Sequence, residues 1–225
     1  HPMPLADLRT LLTDPRQRQI DPDVIFVALS NRIEPIGPMP GLTTNVPVCT
    51  PSGYMPAGQL KRGHLVDTDE GQIVPVLQTV TRRVPAMGSF RPVRLRAPYF
   101  GLRRDIVVSP QQRLVIRGSE VEYLFGCEAV LVPARHLING FSALYAQTSD
   151  IVSYHHLLLP AHEEIIVAGT RTESLYIGRL RRNPDLLGAS VLAGFDRARL
   201  PEHPRPIWPV LKPYEAITLA MNRAA

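Results

Sequence analysis

The side chains of this chain that are capable of chemistry are few and spread along its length. Ser109-Pro110-Gln111-Gln112 sets a hydroxyl and an amide three residues apart. The Gln112 amide can donate a hydrogen bond, but it cannot deliver a proton near neutral pH. Cys49 is a candidate thiol nucleophile, although it stands at the entrance to the turn Thr50-Pro51-Ser52-Gly53, where a small packed side chain is the plainer account. Thr43 and Thr44 offer hydroxyls a few residues upstream. Imidazoles gather in Tyr154-His155-His156 and in His162-Glu163, a set suited to acid–base work or to metal binding. On a strand, His155 and His156 face opposite sides and cannot bind one ion without a bulge. A hydrogen-bonded network bracing the sheet is therefore the expectation for His155, His156 and His162. Cys49 and Cys127 are too few for a disulfide framework or a thiolate zinc site. The sequence shows no nucleophile elbow with a Ser-His-Asp order, no glycine-rich phosphate loop and no C-x-x-C. It implies neither a cofactor nor a metal.

The elements that must position these groups are mostly short strands. Apolar segments at Ile73 to Val80, Val93 to Arg96, Ile106 to Val108, Leu114 to Ile116, Val121 to Phe125, Val130 to Pro133 and Ile165 to Ala168 are punctuated by Gly, Pro, Asp and Ser. That pattern predicts an all-β barrel or sandwich between residues 41 and 176. Upstream, Leu5, Leu8, Leu11 and Leu12 predict a short amphipathic helix, and Val24 to Leu29 a strand. The proline-rich stretch from Pro35 to Gly41 reads as an extended linker, which puts a boundary at about residue 40. Beyond residue 176, Asn183 to Leu192 and Pro213 to Arg223 carry helical spacing around the segment Pro201-Glu202-His203-Pro204-Arg205-Pro206. Residues 177–225 are expected to form a helical appendage packed on the β domain.

Composition narrows the function classes. An apolar fraction of 44% and a charged fraction of 20% suit a soluble globular protein, and the 23 prolines oppose long helices. No run approaches the length of a membrane span. The start, His1-Pro2-Met3-Pro4, lacks the features of a signal peptide, and His1-Pro2 has the look of a vector remnant. A cytoplasmic location is the default expectation, with non-classical secretion left open. The net charge of +5 is carried almost wholly by arginines scattered without a stripe. Nucleic-acid binding therefore ranks last among the functions considered.

Several segments together resemble one family. Thr50-Pro51-Ser52-Gly53 is followed by Ala57 to Val66, then by Arg82-Arg83-Val84-Pro85-Ala86 and by Val107-Val108-Ser109-Pro110-Gln111-Gln112-Arg113. Val132 to Gly140, Tyr154 to Leu159, His162-Glu163 and Thr172-Glu173-Ser174 complete the order. The set resembles the Hint domain of hedgehog proteins and inteins, in the bacterial branch that carries a V-S-P-Q-H-R segment. The resemblance implies a mainly β, flattened horseshoe fold with a helical C-terminal tail, to which the spacing upstream adds a short N-terminal helix and strand extension. It also implies autoprocessing: a first-residue cysteine attacks the preceding carbonyl, and a histidine of the T/S-x-x-H motif protonates the departing nitrogen.

Two of those roles fall on unsuitable residues. The family's register places the nucleophile at Gly41, with Pro40-Gly41 as the bond that would be cut, and Gln112 stands at the motif histidine. Ser109 keeps the motif hydroxyl, and His156 and His162 match family histidines as a remnant network. The expectation is a Hint-type domain without self-cleavage or splicing, acting as a structural or interaction module with an unidentified protein partner. The alternative is an autoproteolytic element with a displaced nucleophile at Thr43, Thr44 or Cys49.

Overall fold

The computed structural model describes residues 39–69, 71–188 and 190–224. The helix expected near Leu5 to Leu12 and the strand expected at Val24 to Leu29 lie outside them. In chain order the strands are β1 (Leu42–Thr43), β2 (Pro47–Thr50), β3 (Gly53–Pro56), β4 (Leu65–Asp67), β5 (Ile73–Pro75), β6 (Gln78–Pro85) and β7 (Val93–Leu95). There follow β8 (Ile106–Val108), β9 (Arg113–Arg117), β10 (Ala129–Pro133), β11 (Ala143–Tyr145), β12 (Ile151–Leu158), β13 (Glu164–Val167) and β14 (Thr170–Glu173). Among the described residues, three α-helices accompany them: α1 (Ser119–Phe125), α2 (Pro184–Gly188) and α3 (Pro213–Ala224).

The strands form two six-stranded antiparallel sheets and one hairpin. The first sheet has the order β11-β7-β8-β1-β12-β6, the second β10-β9-β14-β13-β2-β3, and β4 pairs only with β5. Three connections carry the chain from the first sheet to the second: β1 to β2, β8 to β9, and β12 to β13. Two of these connections hold sequence landmarks. Ser109 to Gln112 is the β8–β9 turn, and His162-Glu163 ends the β12–β13 turn. Residues far apart in sequence thus meet at one seam because the chain crosses between sheets there.

The main core packs Leu42, Val48, Leu95, Val108, Leu114, Val132, Leu157 and Ile165 from both sheets with Val66 of the β4–β5 hairpin. Each such side chain contributes about 1.5–3 kcal/mol on full burial. A second cluster joins Leu158 and Leu175 to Leu187, Leu192 and Leu200 of the tail. The tail is also strapped along β10: Leu131 N–H donates to Pro209 O at 2.8 Å, and Leu211 N–H returns a bond to Leu131 O at 2.9 Å.

Three segments depart from expectation. Val121 to Phe125, expected as a strand, is part of helix α1. Gly118 and Gly126 bracket it at φ 138° and 64°, and Gly126 N–H closes on Glu122 O at 2.9 Å. The helical spacing buries Val121 and packs Leu124 and Phe125 on the core while Tyr123 stays 89% exposed. The expected strand from Ile73 to Val80 is interrupted, because Val76 N–H bonds His64 O and Leu77 N–H bonds Leu158 O. Helix α2 is shorter than Asn183 to Leu192. Ser190 Oγ–H donates to Leu187 O, and Ser190 Oγ accepts from Leu192 N–H, so its hydroxyl takes over the groups a longer helix would use.

Candidate active-site seam

Gly41 leads into β1, which lies between β8 and β12; Leu42 is paired with Val108 on one side and His155 on the other. Gly41 O accepts from Ser109 N–H at 2.8 Å. The glycine is required by space. A Cβ built on it would lie 2.9 Å from His156 Cε1 and 3.0 Å from Tyr154 Cβ. Both neighbours are buried on β12, so the strand closes over the position from which a nucleophile's side chain would project.

Ser109 is fully buried, and its hydroxyl donates to Met39 O while accepting from Gln111 N–H at 3.1 Å. Gln112 N–H bonds Ser109 O at 3.0 Å, and Ala134 N–H bonds Gln112 O at 2.8 Å, which locks the turn. The buried Gln112 amide is spent on the main chain, donating Nε2–H to Glu173 O at 3.0 Å. It holds geometry and has no proton to deliver.

His156 faces the same seam. Burial is the main cause that pushes its pKa down to about 3, and the positive charge of Arg82 and the neighbouring His155 act the same way. The Pro40 carbonyl opposes this weakly, although neither ring nitrogen of His156 completes a well-formed hydrogen bond. The imidazole is neutral at physiological pH and not an acid. The cavity bounded by Pro40, Gln112, His156 and Glu173 measures ≈ 10 Å³, about the space of one water molecule. The space admits nothing larger than a single water.

His162 is linked to this group through Glu173. Ile207 N–H donates to His162 Nδ1 at 3.0 Å, which leaves Nε2 to donate to Glu173 Oε2 at 3.2 Å. Glu173 Oε2 also accepts from Arg113 Nη1 at 2.9 Å. The structure therefore brings Gly41, Ser109, Gln112 and His156 together, with His162 one step behind. Nothing in the residue types of Glu173 and Arg113 marks the two as partners in the sequence. Their only signal was position: Arg113 directly follows the Ser109 turn, and Glu173 sits in the Thr172-Glu173-Ser174 landmark.

The displaced candidates lie apart. Thr43 Oγ1–H is engaged by Val107 O at 2.7 Å, and Thr44 Oγ1 meets His155 Nε2 at 3.1 Å. Cys49 on β2 donates Sγ–H to Asp67 Oδ2 at 3.1 Å. Burial first, then the Asp67 hydrogen bond and charge, push the Cys49 thiol up; Thr50 N–H and Arg103 act the other way. A protonated thiol is a poor nucleophile. Alkylation of Cys49 by iodoacetamide near neutral pH is expected to run at least about threefold slower than that of free cysteine, followed by peptide mass mapping. A rate equal to free cysteine would show that Asp67 does not restrain the thiol. His136 Nε2 accepts from Arg135 Nε–H at 2.9 Å just after β10.

Among the described residues, no group of three His, Cys, Asp or Glu side chains is arranged to hold a metal ion, and no helix is long and apolar enough to cross a membrane.

The fold and the seam define a class: an antiparallel, two-sheet β domain whose first strand is threaded between the Ser109 turn and the histidine-bearing β12. The Hint domain family model matches residues 40–179, well over half of the chain, and the chain belongs to that family. Solved structures with a similar fold include the bacterial intein-like domain from Clostridium thermocellum, at 12% identity and TM-score 0.46, covering 61% of this chain and 99% of that one. The MchDnaB-1 intein is similar at 15% identity and TM-score 0.41, covering 58% and 98%. The gp41-1 intein is similar at 12% identity and TM-score 0.38, covering 60% and 98%. No curated protein matches the chain.

Proposed function

We propose that this Hint domain has no self-cleavage or splicing activity and serves as a structural or interaction module for a protein partner. The observation that carries this is the packing at Gly41. The position offers no attacking atom, and β12 occupies the space where one would hang. Gln112, spent on Glu173 O, supports the same reading, because neither the nucleophile nor the motif acid is in place. The experiment is mass analysis of the Pro40-Gly41 bond under added nucleophiles; an intact chain is the expected result.

The same packing gives a stability prediction. Gly41→Ala forces the new methyl against His156 and Tyr154 and is expected to cost about 1–3 kcal/mol, read as a lower urea midpoint. An alanine variant as stable as the parent would mean that the seam opens freely, and would remove the main support for a closed site.

One observation favours a second reading. Among the displaced candidates, Thr44 has an imidazole within hydrogen-bonding distance. Attack of its hydroxyl on the Thr43 carbonyl would replace the Thr43–Thr44 amide with an ester. That carbonyl already accepts from Val46 N–H at 3.1 Å. A hydroxylamine-dependent break before Thr44 would establish this route and set aside the inactive one.

A further inference from the structure

The opposite face of β12 carries a second polar cluster. His155 is buried and bridges two hydroxyls, with Thr44 Oγ1 at 3.1 Å from Nε2 and Thr81 Oγ1 at 3.0 Å from Nδ1. A neutral imidazole has one N–H, so it donates to one threonine and accepts from the other. The threonine that accepts keeps its own O–H free to point elsewhere. Gly58 packs directly against this group. A Cβ there would sit 2.6 Å from Thr44 Cγ2 and 3.3 Å from His155 Nε2. The Gly58 backbone is not in the left-handed region, so this position too is glycine for room.

A cavity of ≈ 320 Å³ opens beside the cluster, lined by Gly58, Lys61, Arg62, Gln78, Thr79 and Thr81 among others. Its polar inventory is lopsided. Lys61 and Arg62 are exposed cations, and neither forms an ion pair among the described residues. Thr81 is exposed on the cavity, with its hydroxyl 3.0 Å from His155 Nδ1. No carboxylate lines the cavity. A pocket rich in N–H and O–H donors and free of acidic groups favours an acceptor-rich, negatively charged ligand.

The geometry points to a small-oxyanion site, of the inorganic phosphate or phosphate monoester class, in the cavity between Lys61-Arg62 and Thr79-Thr81. Lys61 and Arg62 supply the charge, and the exposed Thr81 at the same cavity supplies a hydroxyl donor when His155 Nδ1–H donates to its oxygen. Tyr154 and His156, which close over Gly41, lie on the other face of β12, and His155 is the residue the two sites share.

The test is a titration of the full chain with inorganic phosphate, following backbone amide resonances, against sodium chloride at matched ionic strength. Saturable shifts at Gly58, Thr79 and Thr81 that chloride does not reproduce are the expected result. The exposed double variant K61A/R62A is expected to weaken phosphate binding by at least about tenfold. T81V, which keeps shape and removes the hydroxyl, should weaken it several-fold. Shifts that are absent, linear in phosphate or equal in chloride overturn the site, as does an affinity unchanged in K61A/R62A.

Discussion

Glu173→Ala lowers the folding free energy by about 3 kcal/mol, the low end of the range for breaking a buried ion pair. The carboxylate is fully shielded from solvent, with its Oε2 shared by Arg113 and the His162 imidazole. Truncation leaves the His162 Nε2–H without its acceptor inside the protein and releases Arg113. Because Arg113 is 24% exposed, its guanidinium can turn toward water, which keeps the cost near the low end. Glu173→Gln retains an oxygen for His162 and loses only the charge, so it is expected to cost less than half as much. Urea unfolding of the three proteins reads both effects. An alanine variant within about 1 kcal/mol of the parent would show that the network braces nothing. The network matters for the seam because Gln112 is anchored on the same residue's carbonyl, and His162 ties in the tail through Ile207 N–H.

Acid is expected to unfold this domain through His156. Its pKa is held near 3 in the folded chain, against an ordinary value of 6.5. The unfolded chain therefore takes up a proton that the folded chain refuses. Stability is full above about pH 6.5 and falls as the pH drops toward 3, by a total on the order of 3–5 kcal/mol from this group. Burial lowers His155 and His203 in the same direction, so the slope adds up across this window. His156→Leu removes the largest contributor. Since neither ring nitrogen makes a well-formed hydrogen bond, the variant should stay within about 1 kcal/mol of the parent at neutral pH. Near pH 4 it should be the more stable of the two. Parallel stability–pH curves for parent and variant would contradict the assignment.

Much of the fold was legible because its strands are short, apolar and separated by Gly and Pro. Ile106 to Val108, Val93 to Arg96 and Val130 to Pro133 stand close to where the structure puts β8, β7 and β10. Helix α1 was not legible. Val-Glu-Tyr-Leu-Phe alternates enough to suggest a strand, and what decides it is the pair of positive-φ glycines on either side. The seam was legible only through the resemblance, since β1, β8 and β12 are remote in sequence and meet by topology. The Glu173 network escaped notice for a related reason. A buried carboxylate looks like any surface Glu until its partners, some eleven and sixty residues away, are known.

The most direct test of the central claim is intact mass of the purified chain after several days, with and without excess thiol and hydroxylamine. The closed packing at Gly41 and the engaged Gln112 amide predict one unchanged full-length mass under every condition. A thiol- or hydroxylamine-dependent split between Pro40 and Gly41, before Thr44 or before Cys49 would contradict it. Such a split would make the domain an active autoprocessing element, and the fragment masses would name the attacking residue.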